Sequence, residues 1–288
     1  MITVASSFLL MQIDPRSGAW SVLPAGENLP TLRNARIGIA FRAGRKRARC
    51  TFQDFKGGQA APLKKDRTLG CFRVLTVAVD MGYGLAVNAE WRVSLEKPFL
   101  LWRIVLKNLN PSPLQIDSID MCQTGRRFGA EGGVELPIPP ADRAMFVNGW
   151  QSWSFAGGLR SADRQPGPML GPFDMPMHEG TSLRSTGRPG HFVSDMFTSI
   201  GRRLVGDCLV AGFLSQNEQF GAVETWLQDD VVSLRMRADC DGVRLDGGAS
   251  LATDWAYLAL GRKAPVEDYF DAAAQVNGAR AAHAAPEG

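Results

Sequence analysis

No stretch of this 288-residue chain approaches the roughly 18–20 consecutive apolar residues that cross a bilayer as a helix, so no membrane partner is expected. Paired cysteines are missing as well. Cys50, Cys71, Cys122, Cys208 and Cys240 are scattered, odd in number and contain no Cys-x-x-Cys pair, which argues against a disulfide framework and against structural zinc; reduced, buried thiols are expected. Histidine is scarce, and His178 and His191 fall in no His-x-x-x-His or Cys-His arrangement, so neither a metal nor a cofactor is implied. Charge of one sign is lacking: 32 basic residues against 29 acidic ones leave +3, too little to call for nucleic acid or an anionic membrane surface. No Lys or Arg precedes the short apolar piece Phe8-Leu9-Leu10 and no small-residue cleavage pattern follows it, so no secretory signal is read and a cytoplasmic location is expected.

What the sequence has in abundance is a period of two. From Leu85 to Glu96 the odd positions Leu85, Val87, Ala89, Trp91, Val93 and Leu95 are apolar and the even ones mostly polar, as in a strand with one buried face. The run Phe99–Asn108 puts Leu100, Trp102, Ile104 and Leu106 on one face and Arg103 and Lys107 on the other. Lys97-Pro98 lies between the two runs, so an antiparallel pair is predicted. Similar runs occur at 36–42, 72–81, 114–121, 209–215, 220–227, 231–238 and 251–260, with Asp229-Asp230 and Asp241-Gly242 read as turns. With 31 glycines, 17 prolines and little helical periodicity before residue 260, the fold class is all-β: a large antiparallel β-sandwich with one C-terminal helix.

That helix is predicted over Pro265–Asn277. Proline suits its first position, Glu267 and Asp268 suit the positive end of its dipole, and Val266, Tyr269, Phe270 and Ala273 supply the apolar stripe before Asn277-Gly278 stops it. The expected organisation is a sandwich over 1–262, a linker helix over 263–280 and a flexible tail over 281–288. The Gly-, Pro- and Arg-rich segment 157–189 is too long for a plain connection.

The most informative string is Asn148-Gly149-Trp150-Gln151-Ser152-Trp153-Ser154. It resembles the Asn-x-Trp-Gln-Ser-Trp signature in the N-terminal β-supersandwich of family 36 glycoside hydrolases, the α-galactosidases and their relatives. Further matches follow in the same order: Ser194-Asp195-Met196-Phe197, then Val210-Ala211-Gly212-Phe213-Leu214-Ser215, then the closing helix with Asn277-Gly278-Ala279-Arg280. The resemblance covers residues 140–288, and residues 1–139 agree in strand pattern only. It implies that a TIM barrel would follow this chain, and that the catalytic Asp pair belongs to barrel strands not contained in it. A retaining glycosidase needs two carboxylates about 5–5.5 Å apart, and the sequence nominates no such pair. The implied role is a non-catalytic domain that helps to wall an α-galactoside site, with homo-oligomer contacts; a freestanding carbohydrate-binding module and a purely structural domain are the alternatives.

Indole rings stack on the C–H face of a sugar and offer one N–H, so Trp153 and Trp150 are the candidate sugar-binding residues, with Asn148 and Gln151 beside them as hydrogen-bonding groups. If 149–154 is extended, the two indoles point to opposite faces. Trp150 is then expected in the core and Trp153 outside, the resemblance also placing Trp153 over the barrel mouth. Packing both indoles in the sandwich is the competing account for the rings, and satisfying backbone groups at a strand end is the competing account for the polar pair. Arg160, Arg164, Arg184 and Arg188 are candidate contacts to another domain or subunit, or solvated loop charges. The basic stretch Arg42, Arg45, Lys46, Arg47 and Arg49 has no interleaved aromatic platform and reads as a hairpin tip rather than a nucleic-acid surface.

Overall fold

The computed structural model describes residues 1–51, 58–150, 154–167, 187–202, 208–261 and 266–279, without the side chains of 58–62 and 208. In chain order the strands are β1 (Ile2–Ala5), β2 (Leu9–Ile13), β3 (Trp20–Pro24), β4 (Thr31–Ala43), β5 (Lys46–Thr51), β6 (Gly58–Asp66), β7 (Gly70–Asp80), β8 (Leu85–Ser94), β9 (Phe99–Asn108) and β10 (Leu114–Thr124). They continue with β11 (Gly133–Glu135), β12 (Arg143–Val147), β13 (Gly157–Arg160), β14 (His191–Asp195), β15 (Phe197–Arg202), β16 (Cys208–Phe213), β17 (Phe220–Trp226), β18 (Ser233–Leu245), β19 (Ser250–Ala252) and β20 (Ala256–Gly261), and α1 (Val266–Val276) follows.

These strands form two ten-stranded antiparallel sheets. The first runs β1-β2-β3-β4-β10-β18-β17-β14, with β5 and β11 also paired to β4; the second runs β13-β12-β15-β16-β20-β9-β8-β7-β6, with β19 also on β9. The fold is therefore the all-β sandwich expected from the period of two. β8 and β9 pair antiparallel with Trp91 opposite Trp102, and the charged stretch at 42–49 spans the β4–β5 hairpin.

The main core fills the space between the sheets. Trp20 of the first sheet meets Trp91 and Trp102 of the second edge-to-face, at ring separations of 6.3 and 5.2 Å, an arrangement favoured by the ring quadrupole. Trp102 Nε1 donates to the Met121 carbonyl at 3.0 Å and so bonds one sheet to the other. A second apolar cluster lies on the outer side of the second sheet, beneath α1: Phe99 and Leu101 of β9, Tyr257 of β20 and Phe197 of β15 pack against Tyr269, Ala272 and Ala273. This is why β9 reads as an almost unbroken apolar run, since both of its faces are covered. The Tyr269 hydroxyl donates to the Phe213 carbonyl at 2.7 Å and Asn277 Nδ2 to the Leu214 carbonyl at 2.7 Å, fixing both ends of the helix on the sheet.

Three expectations change. Asp241-Gly242 is not a turn: both residues have positive φ (50° and 67°) inside β18, where the register with β10 skips from Ser118–Asp239 to Ile116–Val243. The Asp-Gly pair builds a bulge, which needs the same left-handed conformations as a tight turn. The run 251–260 is broken in two, because Thr253–Trp255 leaves the ladder while Asp254 accepts the Ser215 hydroxyl and the N–H of Glu218 at 2.9 Å. Phe270, expected in the buried stripe of the helix, is 51% exposed, the buried line being Tyr269, Ala272 and Ala273.

Candidate functional site

The Asn-Gly-Trp string leaves the end of β12 and is anchored to the corner between β14 and β15. The Asn148 N–H donates to Ser194 Oγ at 2.7 Å, its carbonyl accepts the Asp195 N–H at 2.8 Å, and its Nδ2 donates to the Asp195 carbonyl at 2.9 Å. The Trp150 N–H donates to Asp195 Oδ2 at 3.0 Å. Two pieces of sequence far apart are thus laced together where a strand ends and its backbone groups lose their ladder partners. Glycine is required at 149, because a Cβ there would lie 2.4 Å from Ser154 Cβ and 2.8 Å from the Phe155 carbonyl oxygen.

That close return also removes the premise on which one indole was placed inward and the other outward. An extended run from 149 to 154 would hold its ends about 16 Å apart, whereas Gly149 and Ser154 touch. Trp150, expected in the core, is 51% exposed and meets Phe220 edge-to-face at 5.7 Å. Gln151 and Trp153 lie outside the described residues, as do Arg184 and His178. Asn148 spends its amide nitrogen on the Asp195 backbone, the competing account for it in the sequence.

Around this corner the aromatic side chains converge. Phe197 stacks on Phe146 at 5.6 Å and on Tyr269 at 4.9 Å, and meets Phe270 edge-on at 5.1 Å. Phe146, Trp150, Phe220 and Phe270 are the exposed Phe and Trp residues among those described. All four surround Asp195-Met196-Phe197. Met196 has a φ of 66°, held by its N–H to the Gly221 carbonyl at 2.7 Å and its carbonyl to the Phe213 N–H at 2.8 Å. A methionine in the left-handed region costs roughly 1 kcal/mol, which those bonds offset.

A second constellation, missed from the sequence, occupies the outer face of the first sheet. The register aligns Glu224 with Val193 and Arg235 and aligns His191 with Trp226. His191 Nε2 lies 2.7 Å from Glu224 Oε1, Arg235 pairs with the other oxygen, and the His191 ring stacks on Trp226 at 3.9 Å. Burial works against ionisation of Glu224, but the hydrogen bond from His191 and the guanidinium of Arg235 outweigh it and hold the carboxyl down at about 2. Along the same face Asp120 is clasped by Arg49 and Arg237, and Asp229 by Arg126 and Arg127. Forks from Arg127 and Arg126 hold the Asp229 carboxyl far below its ordinary value. The alternate polar positions of β17 and β18 signalled this face, but which charges meet on it depends on strand pairing. Among the described residues no group of three or more His, Cys, Asp and Glu is placed to hold a metal ion. Cys50, Cys122 and Cys240 are free and buried, and Cys71 is free and half-buried.

Two large antiparallel sheets with a helix docked on the outside of one define a large antiparallel β-sandwich. Among solved structures, the chain is similar to the α-N-acetylgalactosaminidase NagBb from Bifidobacterium bifidum in complex with GalNAc, at 11% identity and a TM-score of 0.56 over 96% of this chain and 39% of that one. It is similar to the family 36 α-galactosidase AgaB from Geobacillus stearothermophilus, at 8% identity and a TM-score of 0.50 over 92% and 41%. A galactose mutarotase-like protein from Clostridium acetobutylicum matches at 11% identity and a TM-score of 0.53, over 90% of this chain and 94% of its own. These are likenesses of fold. The chain spans about two-fifths of the two glycosidases, where it matches their N-terminal sandwich domain. No protein-family model and no curated protein matches its sequence.

Proposed function

We propose that this chain serves as the non-catalytic sandwich domain of an α-galactosidase-like glycoside hydrolase, in which Trp150 and Trp153, with Asn148 and Gln151 behind them, wall a sugar site completed by a separate barrel. The observation that carries the reading is the aromatic corner. Four exposed rings gather around Asp195-Met196-Phe197, beside the helix that closes the sandwich and on the string that resembles the α-galactosidase signature. Exposed aromatics in one place mark a surface that something covers, and an indole edge beside a phenyl ring suits the apolar side of a pyranose. On this reading the partners are an α-galactoside, the barrel and a second copy of the assembly, and the domain works in the cytoplasm, where free thiols persist.

The test is hydrolysis of an aryl α-galactoside. The chain alone leaves the substrate intact, the chain joined to a family 36 barrel cleaves it, and Trp150→Ala in the joined protein raises KM several-fold. Turnover by the sandwich alone overturns the reading. A second reading, a freestanding galactose-binding module, is favoured by one observation: the mutarotase-like neighbour matches over 94% of its own length, so this fold also occurs as a protein by itself. Saturable binding of millimolar galactose by the isolated chain, abolished by Trp150→Ala, selects that reading over the first.

A further inference from the structure

On the outer face of the first sheet and in the loop beside it, three carboxylates have basic partners while two neighbouring guanidinia have none among the described residues. Asp229 gives both oxygens to Arg126 and Arg127, Glu224 gives its oxygens to His191 and Arg235, and Asp163 faces Arg160 at 3.7 Å. Arg188 and Arg164 form no ion pair among the described residues. Arg188 instead lies with its guanidinium carbon 5.7 Å from the Trp226 ring centre, the same ring that carries Arg127 at 4.7 Å and His191 at 3.9 Å. Arg164 Nη1 donates to the carbonyl of Gly187, the residue next to Arg188, at 3.0 Å. Exposed arginines normally spread away from one another, since like charges repel and water solvates them well. Around this indole they crowd together.

Stacking on an aromatic ring fixes the plane of a guanidinium and leaves its N–H fork directed outward, the geometry that grips a carboxylate with two parallel hydrogen bonds. We propose that Arg188, held over Trp226, and Arg164, tied to the neighbouring Gly187 carbonyl, form a binding site for the carboxylate of an acidic saccharide, a uronic acid. The carboxylate follows from the Arg188 fork held over Trp226 and from a second guanidinium beside it without an acidic partner among the described residues; the saccharide rests on the hydrolase reading above. The site is distinct from the aromatic corner, since β17 carries Phe220 at one end and Trp226 at the other, about 20 Å apart along the strand.

Titration calorimetry at low ionic strength tests this with D-galacturonate, galactose and inorganic phosphate, on the wild-type chain and on Arg188→Ala and Arg164→Ala, whose loss removes no ion pair among the described residues. Galacturonate is expected to bind, to weaken steeply as salt is raised, and to lose at least tenfold in affinity in Arg188→Ala with a smaller loss in Arg164→Ala. Equal affinity for galactose, or unchanged affinity in Arg188→Ala, overturns the site. Phosphate binding as tightly as galacturonate overturns the uronic acid assignment. Loss of this site with barrel-dependent hydrolysis intact removes only this inference. Galacturonate binding without any barrel-dependent hydrolysis removes the hydrolase reading and upholds the anion site.

Discussion

The carboxylate of Asp195 accepts the main-chain N–H of Trp150 at 3.0 Å from a position 45 residues further along the chain. This bond fixes where the exposed indole starts, whereas the ties from Ser194 and from the Asp195 backbone end on Asn148, two residues earlier. Asp195 is 5% exposed and its bond to the Trp150 N–H is half-buried, so removing the carboxylate takes away the partner of that donor. Asp195→Ala should cost about 1–3 kcal/mol in urea unfolding, while Asp195→Asn, which keeps an acceptor, should cost about half of that. If both variants unfold like the wild type, the carboxylate does not hold the string.

The same corner is sensitive from behind. Gly212 of β16 lies against it so closely that an added Cβ would sit 2.6 Å from Phe197 Cβ and 2.7 Å from the Met196 carbonyl oxygen. Neither neighbour can move without breaking the bonds that hold Met196 in its left-handed conformation. Gly212→Ala is therefore expected to destabilise the chain by about 1–3 kcal/mol and to alter the near-ultraviolet dichroism of the aromatic corner. An unchanged spectrum would show that the corner is looser than this packing implies.

How much of the molecule was legible in the sequence depended on whether a residue's role was local. β8 and β9 could be read directly, because an alternating pattern with a hairpin between needs only neighbours in sequence. β13 could not: Gly157-Gly158-Leu159-Arg160 has poor strand propensity and forms by pairing with β12. The Asn-Gly-Trp string was visible as a string, yet the direction of its indole depended on Gly149 lying against Ser154 and on Asp195, contacts that appear only when the chain has folded. The Glu224, His191 and Arg235 constellation is purely a product of register. Each residue alone is an ordinary polar position on a strand; the pairing of β14, β17 and β18 brings them together on one face.

Helix α1 separates a buried anchor from an exposed one. Lys97 pairs with Asp268, but their side chains are 45% and 31% exposed, so solvent screening leaves the pair worth less than about 1 kcal/mol. The Tyr269 ring and hydroxyl are fully buried among Phe197, Tyr257 and Phe270. Tyr269→Ala should cost about 3–5 kcal/mol and expose the amides of α1 to hydrogen exchange, whereas Lys97→Ala should leave both nearly unchanged. Equal effects from the two variants would contradict this division.

Glu224 gives the fold an acid-sensitive component whose sign can be worked out. Its carboxyl titrates at about 2 in the folded chain against an ordinary value of 4.5, so as pH falls the unfolded chain takes up the proton first. The stabilisation is complete above about pH 4.5 and disappears as pH falls to about 2; a shift of that size corresponds to about 3 kcal/mol at neutral pH. Glu224→Gln keeps the shape and removes the charge, leaving Arg235 and His191 against a neutral amide. Urea unfolding of the two proteins should differ most at pH 7, and the gap should narrow steadily through pH 4 and 3 as the wild type loses its advantage. Curves that remain parallel over that range would mean that the bonds from His191 and Arg235 do not stabilise the ionised form, and the outer face would then owe its order to Trp226 stacking alone.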